Sequence, residues 1–221
     1  MNQRPSYTAY IFDLDGTLTD SSFPIGEGLV AALNAAGIYG ISAEKTYHWI
    51  GRPLTEIFDH YLIEDRGLAP DEELFNKMLA AYRAGHDIHF PDGIKIYPGV
   101  QETLEILRQQ GAKTAIATTK YQEAAEFVVN GLGLNEYVDV ICGTDLGMPV
   151  KPDPYVVHLA LERLGTNAAE SLFIGDTDAD IHAAHAAGCP AAAASWGFGN
   201  PEKLSRAQPE LYLHRIGDLI E

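Results

Sequence analysis

Ala9-Tyr10-Ile11-Phe12-Asp13-Leu14-Asp15-Gly16-Thr17 decides how this chain is read. The first four residues are apolar and rich in β-formers. They stop at charged residues and a glycine, which predicts a buried strand of a parallel sheet. Open α/β sheets place ligands at the carboxyl ends of such strands. Asp13 and Asp15 are spaced i, i+2, so on an extended segment their carboxylates point the same way. Two like charges held that close are costly unless a cation sits between or beside them. Gly16 allows a sharp turn, and Thr17 offers a hydroxyl. The stretch reads as a metal site with a nucleophilic carboxylate, or more plainly as a strand ending in a polar turn.

Outward from this strand the chain changes character twice. From about Thr19 to Phe90 it reads as helices with no convincing strand. Pro24 starts one that ends near Gly37, Ser42 caps a short one through Trp49, and Pro53 opens a third. Asp71 begins a longer helix carrying Leu74, Phe75, Met78 and Tyr82 at helical spacing. From Pro91-Asp92-Gly93 onward, strands and helices alternate. The expected strands are Lys113 to Thr118, Val138 to Cys142, Ser171 to Gly175 and Pro190 to Ser195. The expected helices follow Pro98-Gly99, Tyr121, Asp153 and Asp178. Alternating β and α predicts a doubly wound, mostly parallel (Rossmann-like) α/β sheet core. The helical block is then an insertion after the first strand. The expected division is a core of 1–19 and 95–221 with an all-helical cap of 20–94.

Bulk properties narrow the function. The 221 residues carry 15 basic and 31 acidic side chains, a net charge of −16. No Lys/Arg cluster exists to neutralise phosphates, so neither nucleic acid nor an anionic membrane is an expected partner. Cys142 and Cys189 form no Cys-x-x-Cys pair, which argues against structural zinc and dithiol chemistry. Met1-Asn2-Gln3-Arg4-Pro5 holds no apolar run of a signal peptide, and no stretch is long and apolar enough to span a bilayer. A cytoplasmic protein, monomer or homodimer, is the expectation. Gly26-x-Gly28-x-x-Ala31 loosely fits a dinucleotide-binding pattern, but it does not directly follow a strand. A receiver-type binding module also uses converging Asp, Thr and Lys, but would lack a large helical insertion.

Four strand ends carry chemistry. They supply Asp13 and Asp15; Thr118 followed by Thr119 and Lys120; Lys151 within Lys151-Pro152-Asp153-Pro154; and Gly175-Asp176-Thr177-Asp178-Ala179-Asp180. In a parallel sheet these ends converge at one edge. Several carboxylates, a hydroxyl and an ammonium make a kit for phosphoryl transfer: a metal screens the acids, Lys151 and Thr118 hold phosphate oxygens, and one carboxylate attacks phosphorus.

Those residues, in that order, resemble the four motifs of the haloacid dehalogenase superfamily over the whole chain. Pro98-Gly99-Val100, Lys151-Pro152-Asp153-Pro154 and Trp196-Gly197-Phe198-Gly199 resemble its phosphoglycolate-phosphatase-like members, which carry a small α-helical cap. The resemblance implies a phosphatase acting on a small phosphorylated metabolite. It gives Asp13 the role of nucleophile, forming an aspartyl-phosphate, and Asp15 that of general acid and then base. It gives Mg2+ as cofactor, held by Asp13, Asp176 and the backbone carbonyl of Asp15. Gly16, Thr118, Thr119 and Lys151 are expected around the phosphoryl group, and Asp180 behind them. Asp178 is either a helper or a helix-start acid. Dehalogenases of the superfamily lack an acid at the Asp15 position, which favours phosphate esters. A β-phosphoglucomutase-like phosphotransferase would use a cap histidine where Ile25 stands. Sugar phosphates, nucleotides and pyrophosphate remain alternative substrates.

Arg52, in Gly51-Arg52-Pro53, is the cap residue expected to read a second anionic group, or else a solvated turn arginine. The pairs His86/His89 and His182/His185 have spacing that zinc sites also use, but solvated or core-edge helix positions explain them as well. Thr119 stands where relatives often carry Asn, which bears on substrate positioning.

Overall fold

The computed structural model describes residues 7–67, 71–90 and 92–220. Met1-Asn2-Gln3-Arg4-Pro5 and Pro91, used in the sequence reading, lie outside them. The chain divides into two compact units: residues up to Leu18 together with those from Ile96 on, and Thr19–Lys95.

β1 (Ala9–Phe12) is wholly buried. It pairs in parallel on both sides, as an uninterrupted apolar run requires. The insertion follows. Its elements are β2 (Thr19–Asp20), α1 (Ser22–Ala35), a 3-10 helix at Ala43–Trp49, α2 (Leu54–Arg66), α3 (Glu72–Asp87) and β3 (Lys95–Ile96). The short strands β2 and β3 pair with each other, and neither was expected from sequence. Ile25, Leu29, Leu33, Ile57, Phe58, Leu62 and Met78 form the buried apolar side of the insert. A methyl group on Gly28 would press against Tyr82, and one on Gly85 against Ala31 and Gly28. Of the glycines that resemble a nucleotide loop, Gly28 therefore serves close packing of α1 on α3, and Gly26 close packing against Ala43 and Tyr47 of the 3-10 helix. Asp71 caps α3 by accepting the Leu74 N–H at 2.8 Å.

The rest of the chain alternates as α4 (Val100–Gln109), β4 (Lys113–Tyr121), α5 (Gln122–Gly131), β5 (Val140–Thr144), α6 (Tyr155–Leu164), β6 (Ser171–Gly175), α7 (Asp178–Ala186), β7 (Ala191–Ala194), α8 (Pro201–Arg206) and β8 (Leu211–Leu213). The main sheet has the order β5-β4-β1-β6-β7-β8. Its pairs are parallel. This is the expected doubly wound α/β core with an inserted helical block. The strand order reverses beside β1, the position where such sheets bind ligands. Phe12 lies opposite Ile116 on one side and Ile174 on the other, so Asp13 emerges between the ends of β4 and β6.

Two boundaries differ from the sequence reading, and two further elements are new. β4 runs past Thr118 to Tyr121, with a register shift between Ala117 and Tyr121. The Gln122 amide spans that shift, accepting the Gly143 N–H at 2.6 Å and donating to the Ile141 carbonyl at 3.2 Å. β5 starts two residues late, because the Asp139 carboxylate turns back to accept the Thr114 N–H at 2.8 Å. α8 and β8 were not expected. β8 is a three-residue edge strand whose existence depends on its neighbour β7, although Asn200-Pro201 carries a readable helix start.

Candidate active site

Asp13 follows β1 directly, and its backbone N–H donates to the Ile174 carbonyl at 2.8 Å. Lys151, after β5, reaches under it. The Lys151 Nζ donates to Asp13 Oδ1 at 2.6 Å, to Asp180 Oδ1 at 2.5 Å and to the Ala117 carbonyl at 3.2 Å. An ammonium has three donors, and all three are engaged. The Phe173 ring lies beneath it, 5.6 Å from Nζ to the centroid. Lys151, Asp13 and Asp180 are all nearly inaccessible to solvent. Burial disfavours the ammonium, but the two carboxylates outweigh it and hold the Lys151 pKa above its ordinary value.

Asp180 holds two positions at once. Its Oδ2 accepts the Thr177 N–H at 3.0 Å and the Thr177 hydroxyl at 2.6 Å, closing a capping box at the start of α7. Its Oδ1 faces Lys151. Asp176 lies at the end of β6, and its pKa is pushed upward by burial and then by Asp180 and Asp13. The Asp13 carboxyl is raised to about 7, chiefly by burial, against the pull of Lys151.

Asp13, Asp176 and Asp180 offer ligand atoms within 4.8 Å of one another. Among the described residues this is the only group of three such side chains. Three buried carboxylates against the single ammonium of Lys151 leave uncompensated negative charge. An all-oxygen donor set is also what a hard divalent cation takes. The residues therefore fit Mg2+. Both Asp180 oxygens are committed, Oδ1 to Lys151 and Oδ2 to Thr177.

Asp15 differs from Asp13 in its partner. The sequence reading looked to Mg2+ and Lys151 together to offset the two acids. The Lys120 Nζ stands 3.1 Å from Asp15 Oδ2, with both side chains about nine-tenths buried. Each acid of the opening motif thus has its own lysine. Lys120 had been assigned no role, and the signal for one was its i, i+2 spacing from Thr118 on what proves to be a longer strand. Thr118 is buried and its hydroxyl accepts the Lys120 N–H at 3.2 Å. The Thr119 carbonyl accepts the Thr144 hydroxyl at 2.8 Å. Gly16 has φ +96°, and a Cβ there would collide with the Asp176 carboxylate, so only glycine fits this turn.

Arg52 belongs to the other unit. Its guanidinium lies 3.6 Å from Glu56 on the first turn of α2. The histidine pairs do not assemble a metal site: His86 Nδ1 lies 3.1 Å from Asp87, and His185 Nε2 3.1 Å from Glu210. No helix among the described residues is long and apolar enough to cross a membrane.

The sequence model of the haloacid dehalogenase-like hydrolases matches residues 10–194. A phosphoglycolate phosphatase from Aquifex aeolicus is 34% identical over 212 residues, covering 96% of this chain and 94% of its own. The pyrophosphatase PpaX of Bacillus velezensis is 30% identical, with 96% and 94% covered. A solved hydrolase of the haloacid dehalogenase-like family from Streptococcus pneumoniae superimposes with a TM-score of 0.82 at 26% identity, over 97% of both chains.

Proposed function

The chain belongs to the haloacid dehalogenase-like hydrolase family, and from that premise we propose that it is a Mg2+-dependent phosphatase of small phosphate monoesters, acting through an aspartyl-phosphate. The observation that carries the reading is the pair of buried acids two residues apart, each with its own lysine.

In the first half-reaction an oxygen of Asp13 attacks phosphorus. The bond from phosphorus to the ester oxygen breaks, and Asp15 gives its proton to the departing alkoxide. In the second half, Asp15 takes a proton from water as the water oxygen attacks phosphorus. The bond to Asp13 breaks, releasing phosphate and restoring the carboxylate. Lys120 holds Asp15 in place through both transfers. Thr118 and the backbone around Gly16 bind phosphoryl oxygens. Lys151 joins them by exchanging a donor, most cheaply its long contact with Ala117. Asp13, Asp176 and the Asp15 carbonyl would hold Mg2+, which supplies positive charge against the phosphoryl oxygens and the acids around them.

Phosphoglycolate is the substrate favoured by the names of the relatives. A glycolate ester carries a second anion, and Arg52 is the side chain suited to it. Pyrophosphate is the second reading, supported by the likeness to a pyrophosphatase. The test is turnover of p-nitrophenyl phosphate with and without Mg2+, followed by a panel of 2-phosphoglycolate, pyrophosphate, sugar phosphates and nucleotides. Hydrolysis that needs Mg2+ and prefers 2-phosphoglycolate is expected. A wild-type protein that leaves every ester intact, or interconverts sugar phosphates without releasing phosphate, overturns the reading.

A further inference from the structure

Trp196-Gly197-Phe198-Gly199 follows β7 and takes no part in the chemistry above, yet it closes around one acid. The Phe198 N–H donates to Asp176 Oδ2 at 2.7 Å. From the other side the Thr17 hydroxyl donates to Asp176 Oδ1 at 3.2 Å. The Trp196 indole N–H in turn donates to the Thr17 carbonyl at 3.1 Å. Gly16, Gly197 and Gly199 lie so close to Asp176 that a methyl group on any of them would overlap it. The Trp196 ring is seated against Tyr97, with centroids 6.3 Å apart at 69°.

A carboxylate held by one donor can still turn about its side-chain torsions. Donors on both oxygens, from two different loops, fix its plane and direction together. They also leave each oxygen a further lone pair. A ligand fixed in this way spends no binding free energy on being ordered when the cation arrives. The relay from the indole through Thr17 also ties the turn that bears Asp13 and Asp15 to the turn that follows β7.

We propose that Trp196, Phe198 and Thr17 form a positioning collar that pre-sets Asp176 for a divalent cation. Trp196 acts at one remove, through the backbone of Thr17. The inference rests on the reading of Asp176 as a cation ligand. Partners one shell behind a metal ligand typically change metal affinity about 10–100-fold when removed.

The experiment is calorimetric titration of the metal-free protein with Mg2+ alone, without substrate. Thr17→Val, which deletes the hydroxyl, weakens Mg2+ binding by about 10–100-fold, and Thr17→Ser, which keeps it, restores wild-type affinity. Trp196→Phe keeps a ring but loses the N–H, and weakens binding by about 10-fold. In both weakened variants kcat recovers at saturating Mg2+. Asp176→Asn separates the two layers of the argument. If it binds Mg2+ like the wild type, the ligand reading fails. If it loses binding while Thr17→Val and Trp196→Phe keep it, the collar alone is overturned, as it is if Thr17→Ser fails with Thr17→Val. Should Thr17→Val not fold, Trp196→Phe and Thr17→Ser decide the matter.

Discussion

At the carboxyl edge of the sheet, Lys151 and its two acids are at most 5% exposed, whereas Arg52 and Glu56 of the helical insert are 33% and 47% exposed. The two settings put the same chemistry to different uses. Exposed ion pairs contribute little to stability and can give way to a ligand. Buried ones cannot lose a partner without leaving a bare charge. On the proposed function, the sheet edge would serve a fixed reaction and the exposed residues of the insert would meet the variable part of the substrate. The proposed function makes this contrast measurable.

The largest effect is expected from Asp13→Asn, which keeps shape and removes the nucleophile. The kcat on p-nitrophenyl phosphate should fall about 10³-fold or more, and on every other ester alike. Turnover near the wild-type level would end the nucleophile assignment. Lys151→Met should cost about 3–5 kcal/mol of stability in urea unfolding, because Asp13 and Asp180 would then face each other with no cation. A variant as stable as the wild type would show that the buried charges compensate in some other way.

Lys120→Met tests whether the second lysine belongs to the reaction. Freeing Asp15 should lower kcat about 10–100-fold, at a cost in stability smaller than that of Lys151→Met, because Lys120 has one carboxylate partner where Lys151 has two. An unchanged kcat would reduce Lys120 to packing. Arg52→Ala should spare kcat and raise KM about 10-fold or more for esters with a second anion, leaving p-nitrophenyl phosphate unaffected. Equal losses on both substrate types would break the contrast between edge and insert.

The smallest effect concerns pH. The Asp13 carboxyl is held up at about 7, so between about pH 4 and 7 the folded protein keeps a proton that the unfolded chain has released. Raising the pH through that window therefore favours unfolding of the metal-free protein. Added Mg2+ replaces the proton, so the gain in Tm on adding Mg2+ should grow over the same range. A gain that is flat with pH would mean that Asp13 is not where cation and proton compete.

Much of this was open to sequence reading, for a physical reason. β1 is a continuous apolar run because it is buried on both faces. Thr177 and Asp180 bear the spacing of a capping box because helix starts are local. Asp13 and Asp176 directly follow β1 and β6, whose ends alternation alone brings to one edge. Ranges and partners were less legible. β4 continues past Thr118 because β5 offers it backbone partners, and β8 exists because β7 does.

The sequence by itself therefore determined the fold class, the inserted helical block and the residues gathered at the sheet edge, since periodicity, caps and strand order depend on near neighbours. Only the tertiary structure decided that Lys120 pairs with Asp15 and that Asp180 is committed to Lys151. Likewise it decided that the Phe198 N–H reaches Asp176 and that the Trp196 indole reaches Thr17. Those are choices among side chains far apart in the chain. A shift of one residue in strand register would have reassigned them.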